Sequence, residues 1–237
     1  MQNTTSVSPM DSGRAQRMTT PSKAWYCTAR RSRCRGGLFT KAFRFHRRHR
    51  MGAVRAVRTI SQAEYLHTER QASTKSEYLA GRVIAMAGAS YVHNRLSTNI
   101  AANLHLALRN KPCVVLGSDM RVKIAEVNAY FYPDVVIVCG QPQFEDEQKD
   151  TLLNPTVVIE VLSPSTEAFD RGEKFAAYQH IPTLREYLLV AQDRTHVEHF
   201  IRQPGGEWQR SEYTDLTQKV HLPSVGIDVP VELIMRA

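Results

Sequence analysis

The sequence predicts one α/β domain in which a mixed central sheet is flanked by helices, with a β-hairpin added near the C-terminus. Two apolar runs, FYPDVVIV and TVVIEVLSPST, have the length and the β-branched content of buried strands, and REYLLVA is a third. A helical pattern precedes them, because Leu96, Ile100, Leu104 and Leu108 recur every four residues. Strands and helices mixed in this way are typical of an α/β or α+β domain.

Charge divides the chain into two parts. Residues 1–58 contain 14 Lys and Arg and one acid, a net charge of +13, whereas residues 59–237 contain 17 Lys and Arg and 22 acids, a net charge of −5. The first part has no hydrophobic period, so we predict a basic, disordered head that adds affinity for nucleic acid. Alternatively, the residues before Met51 are upstream sequence translated from too early a start. The folded domain is predicted at 59–237.

The N-terminal half of this domain alternates between helices and short strands. Ser61 and Glu64 form a capping box at the start of a first helix. Glu77 is placed at the end of that helical region, before a strand at 82–87. A long helix over 93–109 leads to strands at 113–116 and 120–124. The two central strands are predicted at 131–138 and 155–162.

The C-terminal half begins with a helix and ends with a hairpin. Asp170 is predicted to cap a helix that continues to about residue 180, with Glu173 at the box position. Strands follow at 185–191, 196–202 and 207–214, and the turn QPGG joins the last two as a hairpin. A strand near Val220 and a short helix over 231–235 complete the chain.

The cysteines and the apolar runs indicate where the protein resides. Cys113 and Cys139 lie in strand-like apolar runs, where we interpret them as small buried hydrophobic residues rather than as a disulfide. Cys27 and Cys34 fit no zinc spacing. No apolar run reaches the about 20 residues that span a bilayer, and the N-terminus lacks the apolar segment of a secretory signal. We therefore predict a cytoplasmic protein without a membrane segment.

Two carboxylates interrupt the central strands. Asp134 follows Pro133 at the start of one run, and Glu160 lies within the next. A carboxylate inside a Val/Ile strand is costly unless it is paired or binds a metal. If the strands are neighbours, both side chains meet at one edge of the sheet. Together with the peptide carbonyl after Glu160, they would suit Mg²⁺, or Mn²⁺, which prefers oxygen ligands.

Four further residues are candidates for the same site. Lys174 lies on the following helix, where its ammonium would orient a water or stabilise phosphate charge. Glu77 would support the metal. His93 and, more weakly, Gln179 would contact the substrate. Each residue alone has a simpler structural explanation, such as a solvated helix charge, so the prediction depends on the joint pattern.

These motifs resemble a known family. The segments YPDVVIV, VVIEVLSPST, DRGEKFAAY and REYLLV, with EYLAGRVIAMAGASYVHN upstream, are similar to the Uma family of proteins classed as restriction endonucleases, within the PD-(D/E)XK nuclease superfamily. The resemblance covers about residues 60–234. It implies a restriction-endonuclease-like core and magnesium-dependent DNA cleavage.

The resemblance also assigns residues. Asp134 matches the PD aspartate and Glu160 the second acid. The usual lysine position holds Leu162, and Lys174 on the next helix takes its place, while Glu77 matches the early glutamate. The family often has DGE where this chain has AGR, a departure that leaves the three core positions intact.

The resulting prediction is a metal-dependent endonuclease that hydrolyses DNA. The alternative is a catalytically weak nuclease fold that binds nucleic acid or protein, and a third possibility is hydrolysis of another phosphate ester. A homodimer is expected for double-strand cutting, which usually needs two sites.

Overall fold

The computed structural model describes residues 59–236, so the interpretation of residues 1–58 as a basic head or an early start lies outside the described residues. The described part consists of short helices and strands in an alternating order. In chain order these elements are α1 (Gln62–Glu69), β1 (Ser76–Leu79), β2 (Arg82–Ala85), α2 (Tyr91–Leu108), β3 (Cys113–Gly117), β4 (Arg121–Ile124), β5 (Ala129–Phe131), β6 (Val135–Cys139), β7 (Thr151–Leu152), β8 (Val157–Leu162), α3 (Glu167–Phe169), a π-helical turn (Asp170–Lys174), α4 (Phe175–Tyr178), β9 (Glu186–Ala191), β10 (Val197–Arg202), β11 (Trp208–Tyr213), β12 (Lys219–Leu222), β13 (Ile227–Pro230) and α5 (Val231–Met235).

A six-stranded main sheet with the order β11-β10-β9-β8-β6-β3 forms the centre. Only β8 and β9 pair in parallel within it, and the other neighbours are antiparallel, so the predicted mixed sheet is confirmed. Along β8, Val157, Ile159 and Val161 face one core and Val158 and Leu162 face the other. This alternation is expected for a strand that is buried on both faces.

Each face of the main sheet is covered by a different layer. On one face pack α2, α5 and the hairpin β12–β13, with the predicted apolar stripe of α2 buried. On the other face pack the helical segment 167–178 and part of a second sheet, whose order is β2-β1-β5-β4-β7. The added hairpin β10–β11 is present where QPGG predicted it.

The first helix begins as its sequence predicts. The Ser61 hydroxyl accepts a hydrogen bond from the Glu64 N–H at 3.1 Å, which is the N-terminal cap of α1. The same helix buries Tyr65, whose ring stacks on Tyr78 at 5.0 Å between centroids and contacts Tyr130. These contacts attach α1 to the second sheet.

The predicted strand over 131–138 is in fact two strands in different sheets. The strand β5 ends at Phe131 and belongs to the second sheet, whereas β6 begins at Val135 in the main sheet. Pro133 lies between them, and proline has no N–H to continue a ladder. The break places Asp134 just before β6, where the two sheets meet.

Two predicted helix boundaries, near Glu77 and at Asp170, were also wrong. Glu77 lies in β1 rather than in a helical region, because Ser76–Leu79 pairs with β2 and β5. Asp170 does not cap a helix, because the helical segment already begins at Glu167 and passes through a π turn over Asp170–Lys174. The strand β13, which pairs with β12, was not predicted.

The interpretation of Cys113 and Cys139 as unpaired hydrophobic residues was also wrong. They form a disulfide between β3 and β6, where they lie directly opposite each other with Cα atoms 4.0 Å apart. A separation of 26 residues along the chain gives no sign of this pairing, which only the strand register creates. Among the helices of residues 59–236, none combines the length and apolarity needed to cross a membrane.

Candidate active site

Asp134 and Glu160 occupy facing positions just before β6 and within β8, and Glu160 points toward the helical segment. Val135 of β6 pairs with Ile159 of β8, so the next position outward on each chain is Asp134 on one and Glu160 on the other. The Asp134 Oδ2 atom accepts a hydrogen bond from the Val161 N–H at 2.7 Å. Because the strand is interrupted at Pro133 and β6 runs antiparallel to β8, the two carboxylates come from facing positions of the two segments.

Lys174 lies at the centre of the acids. Its Nζ atom is 2.9 Å from Glu77 Oε1, 2.9 Å from Glu160 Oε1 and 3.7 Å from Asp170 Oδ1. All four side chains are almost completely buried. Burial alone would lower the pKa of Lys174, but the neighbouring carboxylates, Glu160 first, outweigh it and hold that pKa well above its usual value.

Burial acts on the pKa of Glu160 in the opposite direction from its action on the pKa of Lys174. Burial raises its pKa well above the usual value; Lys174 works against this rise, and the nearby acids add to it. Burial likewise raises the pKa of Asp170. Three carboxylates therefore share one ammonium, which is too little positive charge to keep all of them ionised at low cost.

A π turn directs Lys174 onto the sheet. Such turns widen a helix locally and are frequent at functional sites. This one is fixed from both sides, because the Tyr187 hydroxyl donates to the Asp170 main-chain oxygen at 3.0 Å and Arg171 pairs with Glu167 and Glu198. The anchored turn faces both Asp170 and Lys174 inward.

Glu77 has two partners, Lys174 and the main-chain N–H of Tyr132, which precedes Asp134 in the chain. Besides Lys174, its Oε1 atom accepts the main-chain N–H of Tyr132 at 3.1 Å. Tyr132 lies two residues before Asp134, in the connection between the two sheets. Glu77 therefore holds that connection in place and belongs to the site through geometry as well as charge.

His93 reaches the site from the other side of the sheet. It lies in the first turn of α2, and its Nε2 atom is 2.8 Å from Asp134 Oδ1. That hydrogen bond raises the pKa of His93, against the opposing effect of burial. The protonated imidazole is thus favoured beside Asp134.

The position of His93 depends on how α2 begins. The Ser90 hydroxyl accepts the His93 N–H at 3.1 Å and also lies 3.1 Å from Gln192 Oε1. Ser90→Ala is expected to lower the free energy of unfolding by about 1 kcal/mol, as loss of a helix N-cap does. Urea unfolding monitored by circular dichroism measures the change. The matched control is Ser97→Ala in the same helix, where alanine is at least as favourable as serine. Equal losses in both variants would show that the cap contributes nothing.

Gln179 and Asp170 lie in surroundings that differ from those the sequence predicted. Gln179, predicted to bind substrate, is exposed at the end of α4, and its main-chain carbonyl accepts from Arg202, so it groups with Arg202 rather than with the acids. Asp170, interpreted from the sequence as a helix cap, is part of the site. Its four-residue spacing from Lys174 was the available signal, since such pairs share a helix face.

We call six residues the acidic cluster: Glu77, Asp134, Glu160 and Asp170 with Lys174 and His93. Within residues 59–236, no group of three or more His, Cys, Asp or Glu side chains is arranged so that it could hold a metal ion. A closed zinc-type site is therefore not formed there. Magnesium, in contrast, commonly takes one or two carboxylates and keeps several waters.

Comparison with known sequences gives related proteins over most of the domain. A family model described as "Uma2: Putative restriction endonuclease" matches residues 62–232. From Synechocystis sp., "Uncharacterized protein sll1609" is 41% identical over 162 residues, covering 68% of this chain and 92% of that protein. "Uncharacterized protein slr1290" from the same organism is 34% identical over 177 residues, covering 75% and 92%.

A solved structure has a similar fold. It is titled as a crystal structure of "a putative nuclease belonging to DUF820" from Anabaena variabilis, and it aligns with a TM-score of 0.61 over 74% of this chain and 97% of that chain. The sequence identity is 15%, so the likeness concerns the fold.

Proposed function

The chain belongs to the Uma2 family, as its sequence motifs predicted, and from that premise we propose that it is a divalent-metal-dependent endonuclease that hydrolyses DNA phosphodiester bonds. One observation carries the proposal. Asp134, just before β6, faces the Glu160 position of the neighbouring strand β8, and the Lys174 ammonium is 2.9 Å from Glu160. Paired carboxylates beside a buried cation are the groups that phosphodiester hydrolysis requires.

The charge of the acidic cluster suits a divalent cation. Its four carboxylates face one ammonium and one imidazole, so the formal charge is −2 when all six groups are ionised. A divalent ion neutralises that charge, and carboxylate oxygens are the ligands that Mg²⁺ and Mn²⁺ prefer. We propose Asp134 and Glu160 as the protein ligands of this ion.

The roles of the residues follow from their contacts. When bound, the ion supplies a water of lowered pKa and neutralises charge on the phosphate. Glu77 and the Val161 N–H fix the position of Asp134. We assign to Lys174 the role of donating to the attacking water or to a phosphate oxygen.

His93 is suited to proton transfer at the leaving oxygen. Its bond to Asp134 raises the pKa of the imidazole, which favours the protonated form that a general acid needs. The exposed amide of Gln179 stays a prediction of weaker substrate contact.

The experiment that tests this function is metal removal. The full-length chain is incubated with supercoiled plasmid and with single-stranded DNA, in Mg²⁺, in Mn²⁺ and in excess EDTA, and products are resolved on gels. Cleavage is expected with either metal, and chelation is expected to abolish it until metal is restored. Cleavage that persists in EDTA would contradict the proposal.

A second candidate function is a nuclease fold that binds nucleic acid without cutting it. The Lys174 ammonium already contacts Glu77 and Glu160, and residues 59–237 carry 17 basic and 22 acidic side chains, an unfavourable balance for DNA. The same assay separates the two functions, because a binding module would shift DNA in a native gel and leave it intact in both metals.

A further inference from the structure

We infer that Asp170 is a positioning residue that receives the Lys174 ammonium when a divalent cation binds beside Glu160. This inference rests on the proposed metal-dependent function. Asp170 is not among the predicted site residues, and the family resemblance assigns it no role.

Three carboxylates share the Lys174 ammonium at unequal distances. Its Nζ atom lies at contact distance from Glu77 and Glu160, both at 2.9 Å, while Asp170 Oδ1 is 3.7 Å away. An ammonium has three N–H donors, so it can turn toward a third acceptor without a change in the main chain. Asp170 is thus a nearby acceptor that the ammonium does not yet fully use.

Asp170 is otherwise an expensive residue at this place. Its side chain is 5% exposed, and within residues 59–236 its carboxylate has an ion pair with Lys174 and a hydrogen bond from the Thr166 side chain. Two carboxylates already balance the ammonium, so a third buried acid raises the energy of the metal-free site. Further positive charge in the cluster would make the ionised form of that acid more favourable.

A divalent ion held at Glu160 would supply that charge and would repel the Lys174 ammonium from this carboxylate. A cation bound at Glu160 repels an ammonium that lies 2.9 Å from the same carboxylate. Asp170 and Lys174 are four residues apart on an anchored turn, so the ammonium reaches Asp170 by rotation of its own side chain. Lys174 then remains in the site, beside the ion instead of in its place.

A double-mutant cycle tests the inference through metal affinity. Mn²⁺ is titrated calorimetrically into the full-length wild-type chain, Asp170→Asn, Lys174→Gln and the double variant. We expect Asp170→Asn to weaken Mn²⁺ binding at least tenfold more in the wild-type background than in the Lys174→Gln background, because only the former has an ammonium to accommodate. Glu173→Gln, an exposed carboxylate on the same turn that pairs with Arg82, is the matched control and should leave binding unchanged.

The outcomes separate this inference from the proposed function. Equal losses in the two backgrounds would mean that Asp170 acts only as a distant charge, and would overturn the inference while the metal-dependent function stands. Failure of the wild-type chain to bind Mn²⁺ would overturn both. If Lys174→Gln does not fold, a crystal structure of the wild-type chain with Mn²⁺ decides: the ammonium should contact Asp170, and an ammonium still on Glu160 beside the bound ion would refute the inference.

Discussion

Replacing Asp134 with Asn, or Glu160 with Gln, is expected to lower the rate of DNA cleavage about 10³-fold or more. Each change removes a proposed metal ligand, a metal ion contributes several kcal/mol of charge stabilisation, and each 1.4 kcal/mol is about a factor of ten. Single-turnover cleavage of plasmid in saturating Mg²⁺ measures the loss. Removing both acids should cost little more than removing one, because the residues act as a unit.

Two controls show that this loss is chemical. Glu173→Gln changes an exposed carboxylate of the same region and should retain full activity. Glu160→Gln should keep its folded structure, because the burial that raises the Glu160 pKa already favours a neutral group there. Cleavage that survives both the Asp134 and the Glu160 substitutions would point to another site or to a contaminant.

Lys174→Met should have the largest effect on stability, a loss of about 3–5 kcal/mol in the metal-free protein. The change leaves Glu77, Glu160 and Asp170 buried without their ammonium, and breaking a buried ion pair by removing one partner costs about this much. Urea unfolding at pH 7 in the presence of EDTA measures the loss. Lys219→Met, on the exposed side of β12, is the control and should change stability by less than about 0.5 kcal/mol.

The stability loss of Lys174→Met should increase with pH. Glu160 and Asp170 have a raised pKa in the folded state, so their contribution to stability is present below the usual carboxyl range and is lost as pH rises through the raised value. The deficit of Lys174→Met should therefore grow as pH rises above the usual carboxyl range, since that variant lacks the cation that opposes the rise in these pKa values. A deficit below about 1 kcal/mol at pH 8 would show that the ammonium does not neutralise the cluster.

Local patterns were sufficient for the elements that have a regular buried face or are buried on both faces. The four-residue recurrence of leucine and isoleucine identified α2, and the Val/Ile runs identified β8 and β9, because burial on both faces leaves a continuous apolar sequence. Asp134 and Glu160 were recognisable for the same reason. A carboxylate is conspicuous only where its neighbours in the chain are apolar.

Features that depend on distant pairing were not predictable in this way. Phe131 and Val135 belong to different sheets, although only three residues of one run lie between them. Whether a run continues or changes sheet depends on partners far along the chain. The Cys113–Cys139 disulfide is of the same kind, since only the β3–β6 register brings its halves together.

Glu77 and Asp170 show a further reason. Their sequence surroundings are polar, and each resembles a surface residue or a helix cap until tertiary packing buries it. Capping-box logic placed the helix start at Asp170, whereas the chain becomes helical at Glu167. The match with the family residue identified Glu77 but not the strand that carries it.

The π turn over Asp170–Lys174 implies that insertions and deletions, rather than exchanges of residue type, are what this segment tolerates least. Every helical residue added or removed rotates the following side chains by about 100°. Gly172, exposed and with open space around it, can be exchanged freely. Deleting it would swing the lysine off the sheet while every other amino acid kept its identity. Relatives that shorten or lengthen this turn must therefore obtain their ammonium from another position.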